Sequence, residues 1–416
     1  MTETKLKTKM DLLITNAEEI VTCKGEGMDE IGVLKNAWIA IKDGKIAGIG
    51  SEEDVKNNFD IEQSTIVDAS GKVVAPGFVD SHTHLVFYGT RVEEYAAKVA
   101  GNSKERFKKL GITTGPNRTV ELTRNTPEEK LFEQSRKRLL RMLEYGITTV
   151  ESKSGYGLTT ESEIKILEVS RRLGEETPLD VYNTFLGAHG FPENMTKREY
   201  LDVIINEMIP RVGEQGLAEF CDVWCDEGYF TAEESELILK AGLRYGMKPK
   251  IHADAYSYIG GSDLAAELEM VSVDHLNYTP EEVMEKLAKA QVTGVLMPAL
   301  DFAVGHKRPF DARKMLDMGM QIALATDLCP ACYTGSMQFV INLACRLYQF
   351  SVEEAIKAAT YGGAKALGLE DRGVLQEGKI ADLQIWDVPT YKHIAYELGT
   401  NIVDTVIKNG KVVVRR

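Results

Sequence analysis

At 416 residues with 44% hydrophobic content, the chain exceeds the usual size of one domain and can bury a substantial core. A formal net charge of -14 argues against a nucleic-acid partner, which needs an excess of Lys and Arg, but not against a small anionic substrate held by one buried Arg. No run approaches the roughly 20 apolar residues of a membrane span, Met1 to Lys7 lacks a signal-peptide core, and six cysteines in so long a chain do not suggest a disulfide framework, so the expectation is a cytoplasmic protein with reduced thiols and no membrane partner.

From about residue 11 to 75 the chain reads as short strands and turns: Asp11 to Thr15, Ala37 to Ile41 and Lys45 to Ile49. The last two are joined through an Asp43-Gly44 hairpin turn. The carboxyl end has the same texture, with Lys379 to Trp386 and a hairpin from Thr405 to Val414 turning at Asn409-Gly410. Residues 1–75 and 369–416 are therefore read as one small β-sandwich domain made by both chain ends. The insertion, 76–368, alternates apolar strands with helical patterns. Helices are predicted over Pro127 to Tyr145 and Glu161 to Leu173, from apolar residues at three- and four-residue spacing. Strands are predicted at Thr148 to Lys153, Asp180 to Leu186, Phe220 to Trp224, Lys248 to His252, Met270 to Val273, Gly294 to Met297 and Gln321 to Thr326. With the stretch before His82, that makes about eight strand-helix units, which predicts a (β/α)8 barrel.

Such barrels build their active sites at the carboxyl ends of the strands. His82, His84, Glu151, His189, His252, His275 and Asp327 each fall at or just after an apolar strand. His82 and His84, at i and i+2, point the same way from an extended chain and can reach one metal. His82, His84 and His252 are read as ligands and Asp327 as the carboxylate ligand, the set suiting one divalent ion, zinc or iron. Such an ion activates water for attack on a carbonyl, amidine or amide carbon. Asp327 is also placed to exchange a proton, and His275 fits an electrophilic or proton-transfer role.

The split β domain, the Gly77 to His84 run and the later His, His and Asp resemble the amidohydrolase superfamily. Ser81 to Phe87, Arg91, Glu151 to Leu158, Thr184 to His189 and Ser272 to Leu276 resemble the imidazolonepropionase family over nearly the whole chain. The resemblance implies opening of the imidazolone ring of 4-imidazolone-5-propanoate, in histidine breakdown, to N-formimino-glutamate. It implies a single metal on His82, His84, His252 and Asp327, and substrate contacts from Arg91, Tyr156 and His189. A homodimer is common among such proteins.

Two stretches depart from that pattern. The family's His-Ala-Asp-Glu is here His252-Ala253-Asp254-Ala255, and a methyl cannot accept a proton. The loop after the metal carboxylate runs Asp327-Leu328-Cys329-Pro330-Ala331-Cys332, where Cys329 and Cys332 read as a redox or extra metal pair or as two thiols lining a pocket. Ala255 favours weighing a related ring, a 2-thioxo- or 2-oxo-imidazolidine propionate, and an aromatic-base deaminase is a third possibility within the superfamily. A binding module without catalysis is disfavoured by the intact metal set. Lys153 resembles the carboxylated lysine of two-metal relatives, but its setting favours one metal, and Glu151 is expected to support a ligand from behind.

Overall fold

The structure, a computed structural model, describes residues 7–101, 103–111 and 113–416, so most of the polar amino-terminal segment lies outside the described residues. Eight parallel strands form the barrel: β1 (Phe78–Asp80), β2 (Ile147–Lys153), β3 (Asp180–Ala188), β4 (Phe220–Cys225), β5 (Lys248–Ala253), β6 (Ser272–His275), β7 (Thr293–Leu296) and β8 (Ile322–Leu324). Each pairs with the next in sequence. All seven residues of β2 are buried, as expected of a strand covered by helices outside and by side chains within. The predicted helices run over Glu128–Glu144 and Thr160–Glu176.

Strands β8 and β1 meet just beyond their ends, through a parallel bridge between Thr83 and Leu328. There the Asp327 N–H donates to the His82 carbonyl (3.1 Å) and the His84 N–H to the Leu328 carbonyl (3.0 Å). The first two histidines and the aspartate are thus drawn together by the same backbone contacts that close the barrel.

The chain ends form one continuous sheet, folded back on itself, rather than two separate layers. Its order is Lys411–Arg415, Val403–Lys408, Leu383–Trp386, Val73–Pro76, Leu12–Val21, Val33–Lys42 and Lys45–Gly50, with Thr65–Asp68 branching from Leu12–Val21. The edge strand Lys45–Gly50 meets the segment leading into Leu383–Trp386 through a bridge between Lys45 and Ile380, and one apolar core joins Ile39, Ile41, Val74, Ile385 and Ile407. Both expected hairpin turns have positive φ at each central residue: Asp43 (48°) and Gly44 (73°), Asn409 (49°) and Gly410 (71°). Gly77 separates the end sheet from β1, and a Cβ there would run into the Thr148 side chain.

Candidate metal centre and substrate site

Alternate strand residues point into the barrel, so polar residues at alternate positions form layers across it. The lower layer is charged and fully buried. Lys153 Nζ lies 2.7 Å from Glu151 Oε1, 2.7 Å from Asp222 Oδ2 and 3.3 Å from Asp274 Oδ2. Burial opposes the charge on Lys153, but Asp222, Glu151 and Asp274 outweigh it and hold the ammonium protonated. Glu151 therefore pairs with Lys153 and not with a histidine, so its support of the layer above is indirect.

That upper layer holds the imidazoles. Asp274 Oδ2 accepts from His82 Nδ1 at 2.6 Å, and Asp222 Oδ1 accepts from His252 Nδ1 at 3.0 Å. An ionised carboxylate only accepts, so both rings carry their proton on Nδ1 and present Nε2 as a lone pair. Burial holds His82, His84 and His252 well below the usual imidazole range, in the neutral form a metal requires. His82 Nε2, His252 Nε2 and Asp327 Oδ1 are buried without a hydrogen-bond partner. Asp327 Oδ1 stands 3.8 Å from the Nε2 atoms of both His82 and His84. Ligand atoms around a tetrahedral zinc are roughly 3.4 Å apart, as follows from bonds of about 2.1 Å. His82, His84 and Asp327 fit such an ion, and His252 joins them through its closeness to His82.

The cluster is wider than four residues. Among the described residues, ligand atoms lie within 4.8 Å of one another in four overlapping triplets: His82, His84 and Asp327; His82, His252 and His275; His84, His189 and His252; and, below them, Asp222, His252 and Asp274. The structure thus brings together every histidine and the aspartate singled out from the sequence. Burial also lowers His189 and His275 to about 4, so both are neutral at pH 7. His275 (φ 85°) and Asp327 (φ 46°) adopt left-handed backbone conformations, at a cost of about 1–3 kcal/mol each.

Tyr156 and Arg91 stand beside the histidines. The Tyr156 ring centre lies 5.4 Å from that of His84 and 5.3 Å from that of His189; burial pushes its hydroxyl well above the usual range, and the nearby Arg91 charge partly opposes this. Arg91 Nε donates to Thr119 Oγ1 at 3.1 Å. Arg91 also lines a cavity of about 650 Å³ with Lys98, Lys108, Phe107, Pro330 and Ala331, which makes its wall cationic on a chain of negative net charge. Tyr156 is held by its loop: the buried Glu163 carboxylate accepts from the N–H groups of Gly155 (2.7 Å), Gly157 (2.7 Å) and Leu158 (2.6 Å). Cys332 Sγ contacts the Thr326 carbonyl at 3.5 Å, and Cys329 and Cys332 are both free and buried.

Sequence reasoning missed the carboxylates that anchor the ligand histidines. Asp222 and Asp274 sit inside apolar strands, where a buried Asp must be paired or hydrogen-bonded, and that was the available signal. It also missed Glu163 and Trp224.

Two stretches, 65–111 and 239–413, match models described as the amidohydrolase family. The chain is 43% identical over 419 residues to an imidazolonepropionase of Clostridium tetani, covering 98% of this chain and 99% of that one. It is 41% identical to one of Alkaliphilus oremlandii, at the same coverage. Among solved structures, an adenosine deaminase of Xanthomonas campestris with bound zinc superposes with a TM-score of 0.72 at 17% identity, covering 99% of this chain and 94% of that one. An atrazine chlorohydrolase of Arthrobacter aurescens complexed with zinc gives 0.69 at 19% identity, covering 97% and 95%. These distant structures share the barrel and its flanking sheet. Fold and site together define an amidohydrolase. Within that class, identity above 40% over nearly the full length shows that the chain belongs to the imidazolonepropionase family.

Proposed function

We propose that the protein hydrolyses the ring of 4-imidazolone-5-propanoate to N-formimino-glutamate, around one divalent ion, zinc or iron, held by His82, His84, His252 and Asp327. The observation that carries this reading is the set of buried, unpartnered acceptors His82 Nε2, His252 Nε2 and Asp327 Oδ1, in a mouth where unmet polar atoms are otherwise costly. When bound, the ion supplies Lewis acidity and brings water near its ionisation point at neutral pH.

The chain's own residues do the rest. Arg91 offers a guanidinium fork and Tyr156 a hydroxyl to the propionate, which fixes the ring over His84 and His189. His189 Nδ1 lies 3.3 Å from the Gly155 carbonyl, which only accepts, so its Nε2 lone pair is free to receive a ring N–H. Asp327 takes the proton from the attacking water and returns it to the ring nitrogen as the carbon–nitrogen bond breaks. His275 faces the same centre and polarises the ring carbonyl. The six free cysteines of the chain support a cytoplasmic setting.

A second reading rests on Ala255, which is buried beside the site and whose carbonyl accepts from His306 Nε2 at 2.9 Å. No carboxylate occupies that position, and the neighbouring Asp254 is bound to Thr279 Oγ1 at 2.7 Å. A ring already carrying a 2-oxo or 2-thioxo group is the alternative substrate. Parallel turnover of 4-imidazolone-5-propanoate and its 2-oxo and 2-thioxo counterparts by zinc- and iron-loaded protein, followed by ring absorbance, tests both. Fast loss of the first is expected; no turnover of it beside brisk turnover of another overturns the primary reading.

A further inference from the structure

Trp224 lies on β4 two residues after Asp222, so both side chains point into the barrel, and it is paired in register with His252. Its indole N–H is buried and has no hydrogen-bond partner. An indole nitrogen only donates, so nothing but an acceptor satisfies it. The ring is locked on one side by Tyr229, whose centre is 3.6 Å away in a stacked arrangement. Beyond Trp224, the rings continue into the site: His189 at 5.3 Å, then His84 stacked on His189 at 4.6 Å.

Strand order turns this arrangement into a ruler. Tyr156 follows β2, His189 follows β3 and Trp224 lies near the end of β4, so His189 stands between the other two, each 5.3 Å from it between ring centres. Two strand intervals span roughly 10 Å, about the length of a five-membered ring with a propionate arm. Resting on the proposed function, which sets the carboxylate against Arg91 and Tyr156, we infer that Trp224 reads the far side of the substrate ring. Its N–H donates to an acceptor at or next to the ring's 2-position: an unprotonated ring nitrogen, a 2-oxo oxygen or a 2-thioxo sulfur. Trp224 is a specificity-determining residue for a planar ring with an acceptor opposite its arm. Ala255 leaves that recognition to the indole, because its methyl can neither donate nor accept.

Binding to zinc-loaded protein, measured by calorimetry, tests this without turnover. The probes are hydantoin-5-propanoate, which has a 2-oxo acceptor, and 3-cyclopentylpropanoate, which has the arm and no ring acceptor. Trp224→Phe keeps an aromatic face and removes the donor. It should weaken hydantoin-5-propanoate about tenfold, the effect of one lost hydrogen bond, and leave 3-cyclopentylpropanoate unchanged. Tyr229→Phe, which keeps the stack, should change neither. Equal weakening of both probes by Trp224→Phe would make the indole a packing residue and overturn the inference, as would no change in either. If 4-imidazolone-5-propanoate is not turned over but the probe contrast holds, the ring-opening reading fails and the role of Trp224 stands.

Discussion

The barrel buries charge at both of its ends, and the two ends treat it differently. At the base, Lys408 Nζ lies 2.7 Å from Asp180 and 2.7 Å from Asp382, while Arg372 bonds Asp180, Asp371 and Thr149. This cluster ties the start of β3 to the end sheet, and none of its side-chain nitrogens or oxygens is left buried without a partner. At the mouth, Asp222 and Asp274 below the histidines are paired in the same way, but Glu151 Oε2 beside them and the atoms facing upward, His82 Nε2, His252 Nε2 and Asp327 Oδ1, are not. A buried polar atom without a partner costs about 1–3 kcal/mol. The base spends its polar atoms on joining two parts of the fold, whereas the mouth holds several in reserve for something that binds.

The contrast breaks most sharply with Asp327→Ala. It removes an unpartnered, strained residue, so turnover and bound metal should both be lost while the melting temperature holds or rises; metal analysis beside thermal unfolding checks it. A variant that unfolds instead would give the mouth the structural role of the base. Lys408→Met should do the reverse. It leaves Asp382 buried without its cation and should cost about 3 kcal/mol in denaturant unfolding, with metal per folded molecule unchanged. Asp222→Asn lies between these: it weakens the partner that fixes the His252 tautomer, and should lower metal affinity roughly 10- to 100-fold. Zinc competition with a chromophoric chelator reads that change, and an unaltered affinity would refute the tautomer argument.

The legibility of the two ends differed for the same reason. His82, His84, His252 and Asp327 stood out because they follow apolar strands, and a barrel gathers strand ends at one place. What could not be read is which of the six neighbouring groups share an ion, because that depends on rotamers across five different strand ends. Asp222 and Asp274 were legible only as polar residues inside strands, and their partners are 30 and 192 residues away. The base cluster was harder still. Asp180, Arg372 and Lys408 look like ordinary surface charges until the end sheet docks beneath β3. The strand Leu12–Val21 outran its expected end at Thr15, since the bulge at Asn16 (φ 57°) breaks the pattern without ending the ladder.

A smaller effect separates binding from chemistry within the mouth. Arg91 is held by Thr119 and its charge acts on the neighbouring Tyr156. Arg91→Ala should raise KM for a propionate substrate roughly tenfold or more, the loss of a hydrogen bond to a charged group, and far less for an analogue without the carboxylate. Equal effects on the two would refute the carboxylate role.

The smallest expected effect tests whether the substrate side is built like the base, by full satisfaction of a buried charge. Glu163 reaches from the first turn of helix Thr160–Glu176 to hold three N–H groups of the Tyr156 loop, and both of its oxygens are used. Glu163→Gln keeps the size and one acceptor, but turns an amide NH₂ towards a backbone donor. The loop must shift to relieve that clash, and Tyr156 shifts with it. KM should therefore rise several-fold, about 1 kcal/mol of lost positioning, with kcat and bound metal nearly unchanged. A fall in melting temperature with no change in KM would show that Glu163 holds the loop for the fold alone. A rise in KM that disappears in the Tyr156→Phe background would show that it holds the loop for the hydroxyl of Tyr156.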